Sequence, residues 1–181
     1  SITKYAAMIT DPKEIVYEVQ KAIHLATTGR KGPVWIDVPL DIQNMRIKPE
    51  ECRSFIPEES TNNHPKSGDI KYIIDQLNRA ERPAILIGNG LRSADAVPDL
   101  QKFVSLTEIP LTYANSAPDI YSLSQDNSIG SVGIMGCSRA AAFTVQNSDV
   151  LLVLASRLST MTTGDQVCKF ARDANVIVVD I

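Results

Sequence analysis

Arg82-Pro-Ala-Ile-Leu-Ile-Gly-Asn-Gly90 decides the architecture. Ala84 to Ile87 run without a polar interruption straight into Gly88-Asn-Gly90, the pattern of a strand that feeds a tight turn and a helix. A strand covered on one face alternates apolar and polar residues, whereas a strand covered by helices on both faces does not. Working outward, the same uninterrupted signature recurs in Ile109-Pro-Leu-Thr-Tyr113, in Val150-Leu-Leu-Val-Leu154 and in Val176-Ile-Val-Val-Asp-Ile181. Helical spacing lies between these runs. Ile70, Ile73, Ile74 and Leu77 mark one helix, residues 95–106 a second, residues 137–147 a third, and residues 165–171 a short fourth. The rhythm predicts an α/β fold on a doubly wound parallel sheet.

The beginning of the chain reads differently. Asp11-Pro12-Lys13-Glu14 supplies an N-cap, a proline at the first helical position and an acid three residues after the cap. Ile15, Val19, Ile23 and Ala26 follow at helical spacing, Gly29 is the expected stop, and Val34-Trp-Ile-Asp-Val38 is a short strand. This helix–strand unit has no sheet of its own in sequence. Residues 40–66 then lose periodicity among Pro49, Pro57, Asn62, Asn63, Pro65 and several glutamates, and read as a structureless connection. The division expected is 1–45 as the end of one domain, 46–66 as a linker and 67–181 as a second domain. Ser1 in place of an initiating Met, and an apolar run reaching Ile181, predict a piece of a longer chain.

Composition narrows the partners. With 181 residues, 44% hydrophobic and a net charge of -3, the chain suits one globular domain plus part of another. It has no basic stripe to hold nucleic acid and no apolar run of about 18 residues to cross a membrane. Cys52, Cys137 and Cys168 are widely spaced, form no C-x-x-C, and read as reduced thiols of a cytoplasmic protein. His24 and His64, the only histidines, read as structural or solvated. No G-x-S-x-G elbow, H-E-x-x-H or spaced carboxylate pair is present, so no self-contained catalytic site is expected.

In such folds ligands lie beyond the carboxyl ends of the strands. Gly88, Asn89 and Gly90 would let a phosphate approach the backbone ahead of a helix start, or would serve a turn needing positive φ. The G-x-G-x-x-G pattern fails at Ser93, and Thr112, Tyr113 and Asn115 stand where a ribose-binding acid belongs. Gly130-Ser-Val-Gly-Ile-Met-Gly136 is expected to be a flexible loop, either plain or wrapped on a ligand through Gly133, Met135 and Gly136. Arg157, after the third strand, would fork to a phosphate or pair with a carboxylate. Asp180 would accept from ribose or ribityl hydroxyls, or face solvent.

Several of these stretches carry a family resemblance. Ala26 to Gln43, with Gly-Arg-Lys-Gly-Pro-Val-Trp-Ile-Asp-Val-Pro at its centre, resembles the segment closing the pyrimidine-binding domain of acetolactate synthases and related thiamine-diphosphate-dependent enzymes. Arg82 to Gly90 resembles the opening of their central domain, Gly130 to Gly136 its L-G-M-x-G loop, and Ser148 to Leu158 its A-D-L-L-L-A-L-G-x-R-F strand. The resemblance covers nearly the whole chain in the right order. It implies a Rossmann-like (DHS-like) central domain from a carboligase or decarboxylase of 2-keto acids such as pyruvate.

In that family thiamine diphosphate and Mg²⁺ lie between a pyrimidine-binding domain of one subunit and a diphosphate-binding domain of another. The resemblance implies a homodimer or tetramer of the full enzyme, with the activating Glu and the G-D-G…N motif outside this stretch. The fragment is thus expected to hold neither cofactor and to be inactive alone. The central domain carries FAD in some members, ADP in others and nothing in the rest. The implied ligand positions are Gly88, Gly90, Thr112, Tyr113, Gly133 to Gly136, Arg157 and Asp180. After Arg157 the flavin-binding synthases carry two acids and an arginine, where this chain has Ser159, Thr160 and Met161; a central domain without FAD is expected. The alternative is a free-standing module binding FAD, ADP or NAD. Sirtuin-type deacylases share the sheet, but need a catalytic His and usually four zinc cysteines that the sequence lacks.

Overall fold

A computed structural model of the chain describes residues 2–57 and 65–180. Its contacts divide into two compact units, Ser1–Asn63 and His64–Ile181. Part of the expected linker, residues 58–64 with His64, lies outside the described residues.

In the first unit β1 (Tyr5–Met8) leads through a single 3₁₀ turn, Pro12–Glu14, into α1 (Ile15–Thr27), β2 (Val34–Asp37) and α2 (Leu40–Gln43). The Asp11 cap forms, its carboxylate accepting from the Lys13 N–H at 2.9 Å, but it opens the 3₁₀ turn and the α-helix begins at Ile15. β1 and β2 pair in parallel. The expected Ile15–Val19–Ile23–Ala26 stripe is not the buried face. Ala22 is buried, whereas Val19 and Ile23 stay 39% and 59% exposed. Spacing identifies an apolar stripe without saying what lies against it.

The region expected to be structureless is partly built. Besides α2 it holds a 3₁₀ turn at Pro49–Glu51. Phe55 donates its N–H to Gln20 Oε1 at 2.8 Å and sets its ring edge-on to Tyr17. Arg53 stacks 4.0 Å from the centre of the Tyr17 ring. Isolated anchors of this kind leave no periodic trace in a sequence.

The second unit runs α3 (Ser67–Arg79), β3 (Pro83–Ile87), α4 (Gly90–Ser93), α5 (Val97–Thr107), β4 (Leu111–Ala114), β5 (Ser128–Val132), α6 (Arg139–Asn147), β6 (Val150–Leu154), α7 (Thr160–Thr163) and β7 (Asn175–Val179). The strands form one parallel sheet in the order β5-β4-β3-β6-β7. Successive residues of β3 serve opposite faces. Ile85 and Ile87 pack with Leu100 and Val104 of α5, while Ala84 and Leu86 pack with Ala141 and Val145 of α6. The sheet is doubly wound.

Two local expectations are corrected. Ser128 to Val132, read as part of a loop, is an edge strand with a register shift opposite Leu111 and Thr112. The helix expected at 165–171 is a single 3₁₀ turn, Val167–Lys169, and the helical turn lies earlier, in α7. Gly164, at φ 79°, ends α7 and separates the two.

Candidate functional site

Because every strand of the second sheet is parallel, residues 88–90, 115, 133–136, 155–157 and 180 emerge at one edge. The chain steps outward from β3 through β4 to β5, then crosses to β6 and β7. The loops after β3 and β6 therefore flank the switch point, where doubly wound sheets take ligands.

Here the chain's own backbone fills that place. Gly88 donates its N–H to Leu154 O at 2.9 Å, and Gly90 donates to Ala155 O at 3.2 Å. A Cβ at Gly88 would stand 2.3 Å from the Ala155 carbonyl oxygen and 2.7 Å from Ser156 Cα. At Gly90 it would meet the Ala155 side chain at 2.9 Å. Neither glycine has positive φ. Both are required by the close approach of Ala155-Ser156 rather than by a positive φ. The amides of Leu91 and Arg92 are also engaged, by the carbonyls of Gly88 and Asn89. Asn89 itself is exposed on the rim.

The other expected positions separate in the same way. Thr112 lies inside β4, fully buried, and its hydroxyl donates to Ile85 O at 3.0 Å. Tyr113 belongs to the core beside Ile87 and Leu111. Both are core residues rather than edge residues because β4 continues to Ala114, so Asn115 is the first residue to emerge. In the glycine-rich run, Gly130 (φ 115°) makes room for Ser138, whose hydroxyl donates to Ile129 O and accepts from Ala141 N–H as the cap of α6. Gly133 (φ 138°) faces the Met161 carbonyl, a Cβ there standing only 2.5 Å away. Met161 O in turn accepts from Ile134 N–H at 2.9 Å. Gly136 alone of the three borders open space, and Met135 beside it is exposed.

Arg157 and Asp180 are exposed on the same rim, Asp180 just beyond the end of β7. Arg157 sits between Ala155 (φ 52°) and Leu158 (φ 48°), two left-handed residues that are not glycine. Ala155 stands where the resembling pattern L-G-x-R-F has glycine, which is the sequence signal that marks this turn. A cavity of about 190 Å³ lies to one side of the rim, lined mainly by apolar groups of Gly133, Ile134, Cys137, Gln146, Thr162 and Phe170. Across the loops after β3 and β4, Arg92 pairs with Asp119 at 2.8 Å and holds that carboxyl below its ordinary value.

Among the described residues no group of three or more His, Cys, Asp or Glu is placed to hold a metal ion, and no helix is long and apolar enough to cross a membrane.

The parallel doubly wound sheet with its loops gathered at one edge defines the class of nucleotide-fold α/β domains. Within that class, the family profile described as thiamine pyrophosphate enzyme, central domain, matches residues 70–181, and the chain belongs to that family. It is 33% identical over 99% of its length to the acetolactate synthase large subunit of Corynebacterium glutamicum. Identity is also 33% to a probable acetolactate synthase large subunit of Methanocaldococcus jannaschii, and 30% to the acetolactate synthase isozyme 2 large subunit of Escherichia coli, each over 99% of the chain. These matches span 29%, 31% and 32% of the respective relatives, so the chain corresponds to about a third of their length.

Proposed function

We propose that the chain is the part of a thiamine-diphosphate-dependent 2-keto acid carboligase or decarboxylase, of acetolactate synthase type, that joins the end of a pyrimidine-binding domain to the central domain. The division proposed is 1–45, 46–66 and 67–181. Its role is structural: it fixes the spacing of the domains that hold thiamine diphosphate and Mg²⁺, and it contributes no reacting group. The whole enzyme works as a homodimer or tetramer in the cytoplasm. The observation that carries this reading is the likeness of 99% of the chain to about a third of a large subunit.

The central domain is proposed to hold no FAD. Support comes from Ala155-Ser156 filling the switch point against Gly88 and Gly90. The rim formed by Asn89, Met135, Gly136, Arg157 and Asp180 accommodates at most a small anion. The test is to purify the longer polypeptide containing this chain, assay acetolactate formation from pyruvate with thiamine diphosphate and Mg²⁺, and analyse the denatured protein for flavin. Product without stoichiometric flavin is expected. An inactive protein contradicts the enzymatic reading, and released flavin contradicts the empty central domain.

A further inference from the structure

We propose that the cleft between α1 and the segment Arg53–Ile56 is a binding site for a small organic anion with a flat aromatic body. The cleft measures about 630 Å³, within the roughly 300–1,000 Å³ of small-molecule sites, and it lies wholly in the first unit. Rings reach into it from two sides. Tyr17 and His24 stand two turns apart on one face of α1. Phe55 faces them from the segment, its ring centre 5.6 Å from that of Tyr17 and 5.5 Å from that of His24. Leu25 adds an apolar wall. A planar ligand ring packs against edge-on and tilted rings at such spacings.

The charge in the cleft is of one sign. Lys21 and Arg53 line it, and among the described residues no Asp or Glu does. The Arg53 guanidinium lies 4.0 Å, and Lys21 Nζ 5.6 Å, from the centre of the Tyr17 ring, so two cations gather about one aromatic side chain. Lys21 also leans over the Tyr5 ring at 4.5 Å. The acids beside the cleft engage them loosely. Glu14 meets Arg53 Nη1 only at 3.4 Å, in an exposed pair of little worth. Glu18 receives the Tyr5 hydroxyl.

With its face against Tyr17, the guanidinium keeps its N–H edge for an anion, the fork by which arginine holds carboxylate or phosphate. His24 turns Nδ1 to the Thr28 hydroxyl at 3.3 Å, so Nε2 is the ring nitrogen that can meet a ligand. A neutral aromatic solute would leave two cations unanswered, and an inorganic ion would leave the rings uncovered. An aryl carboxylate or an aryl phosphate answers both.

This inference goes beyond the proposed structural role and does not depend on acetolactate formation. Ligand-observed fluorine NMR on the longer natural polypeptide tests it, with para-fluorobenzoate and para-fluorophenyl phosphate as probes. Binding of either at millimolar concentration or below is expected, and the tighter of the two names the anion. Arg53→Gln and Lys21→Gln should each weaken it about tenfold, as the loss of a hydrogen bond to a charged group does. Phe55→Ala should weaken it several-fold. Arg53→Lys keeps the charge without the fork and should fall between Arg53→Gln and wild type. Lys48→Gln removes a cation that pairs with Glu51 outside the cleft and should change nothing. Wild-type melting temperatures for these variants are expected, because the side chains replaced lie at the surface. The proposal is overturned by the absence of binding, or by probe binding that the cleft variants leave unchanged. Equal weakening by Lys48→Gln, which marks a diffuse charge effect, overturns it as well. So does para-fluorobenzyl alcohol binding as tightly as the anions, or inorganic phosphate displacing the probes at equal concentration.

Discussion

β3 and β2 are both short strands in parallel pairs, yet they are buried in opposite styles. Ala84 to Ile87 are buried residue after residue, with α5 on one side and α6 on the other. Val34 to Asp37 alternate, half-buried toward α1 and open on the other side. The side chains do not account for the difference, since Val-Trp-Ile is as apolar as Ile-Leu-Ile. What differs is the number of layers present. The second unit contains both covering layers within the matched stretch, and the first contains one.

The largest expected effect contrasts the two cores directly. Leu151→Ala removes a fully buried side chain from β6 and should cost about 2–5 kcal/mol in denaturant unfolding of the 181-residue chain. Trp35→Ala in the same chain should fall within about 0.5 kcal/mol, as surface substitutions do. A loss at Trp35 comparable to that at Leu151 would break the comparison.

Next comes the filled switch point. Gly88→Ala drives a methyl against the Ala155 carbonyl and should cost about 1–3 kcal/mol or more by overpacking. Gly136→Ala meets no neighbouring atom and bears only the penalty of φ 67°, about 1–2 kcal/mol. Equal melting temperatures for wild type and Gly88→Ala would show that the two loops do not approach as described.

The smallest effect is electrostatic. Asp149, at the start of β6, accepts from Glu81 N–H at 2.7 Å and Arg82 N–H at 3.0 Å, tying that strand to the turn before β3. Burial pushes its carboxyl up, but these donors more than offset that push and hold it below the ordinary value. A depressed folded pKa stabilises the protein above the ordinary carboxylate value of 3.8, and that contribution is lost as the pH falls through the folded value. Asp149→Asn should therefore lower stability at neutral pH and flatten its decline in acid. A decline as steep as that of the wild type would contradict the assignment.

How much was legible in the sequence follows from the same contrast. β3, β4 and β6 announce themselves because two covering layers demand uninterrupted apolar runs, and β7 carries such a run although it lies half-open at the sheet edge. β1 (Tyr-Ala-Ala-Met) and β5 (Ser-Ile-Gly-Ser-Val) are short, and small residues weaken their pattern. The loops after the strands share one edge of the sheet, as expected, since their place depends on strand direction alone. What surrounds each loop residue was not legible. Gly88 is a glycine because Ala155 and Ser156, about 67 positions away, press against it, and Thr112 is a core residue because β4 runs on to Ala114. Such contacts belong to the tertiary approach of two loops and leave no local spacing to read.

The role proposed for this chain is to support thiamine chemistry without performing it. Titration calorimetry with thiamine diphosphate and Mg²⁺ tests that claim most directly, using the purified 181-residue chain beside the longer polypeptide that contains it. Binding to the longer protein and none to the 181-residue chain is the predicted result. Micromolar, Mg²⁺-dependent binding to the 181-residue chain alone would contradict it.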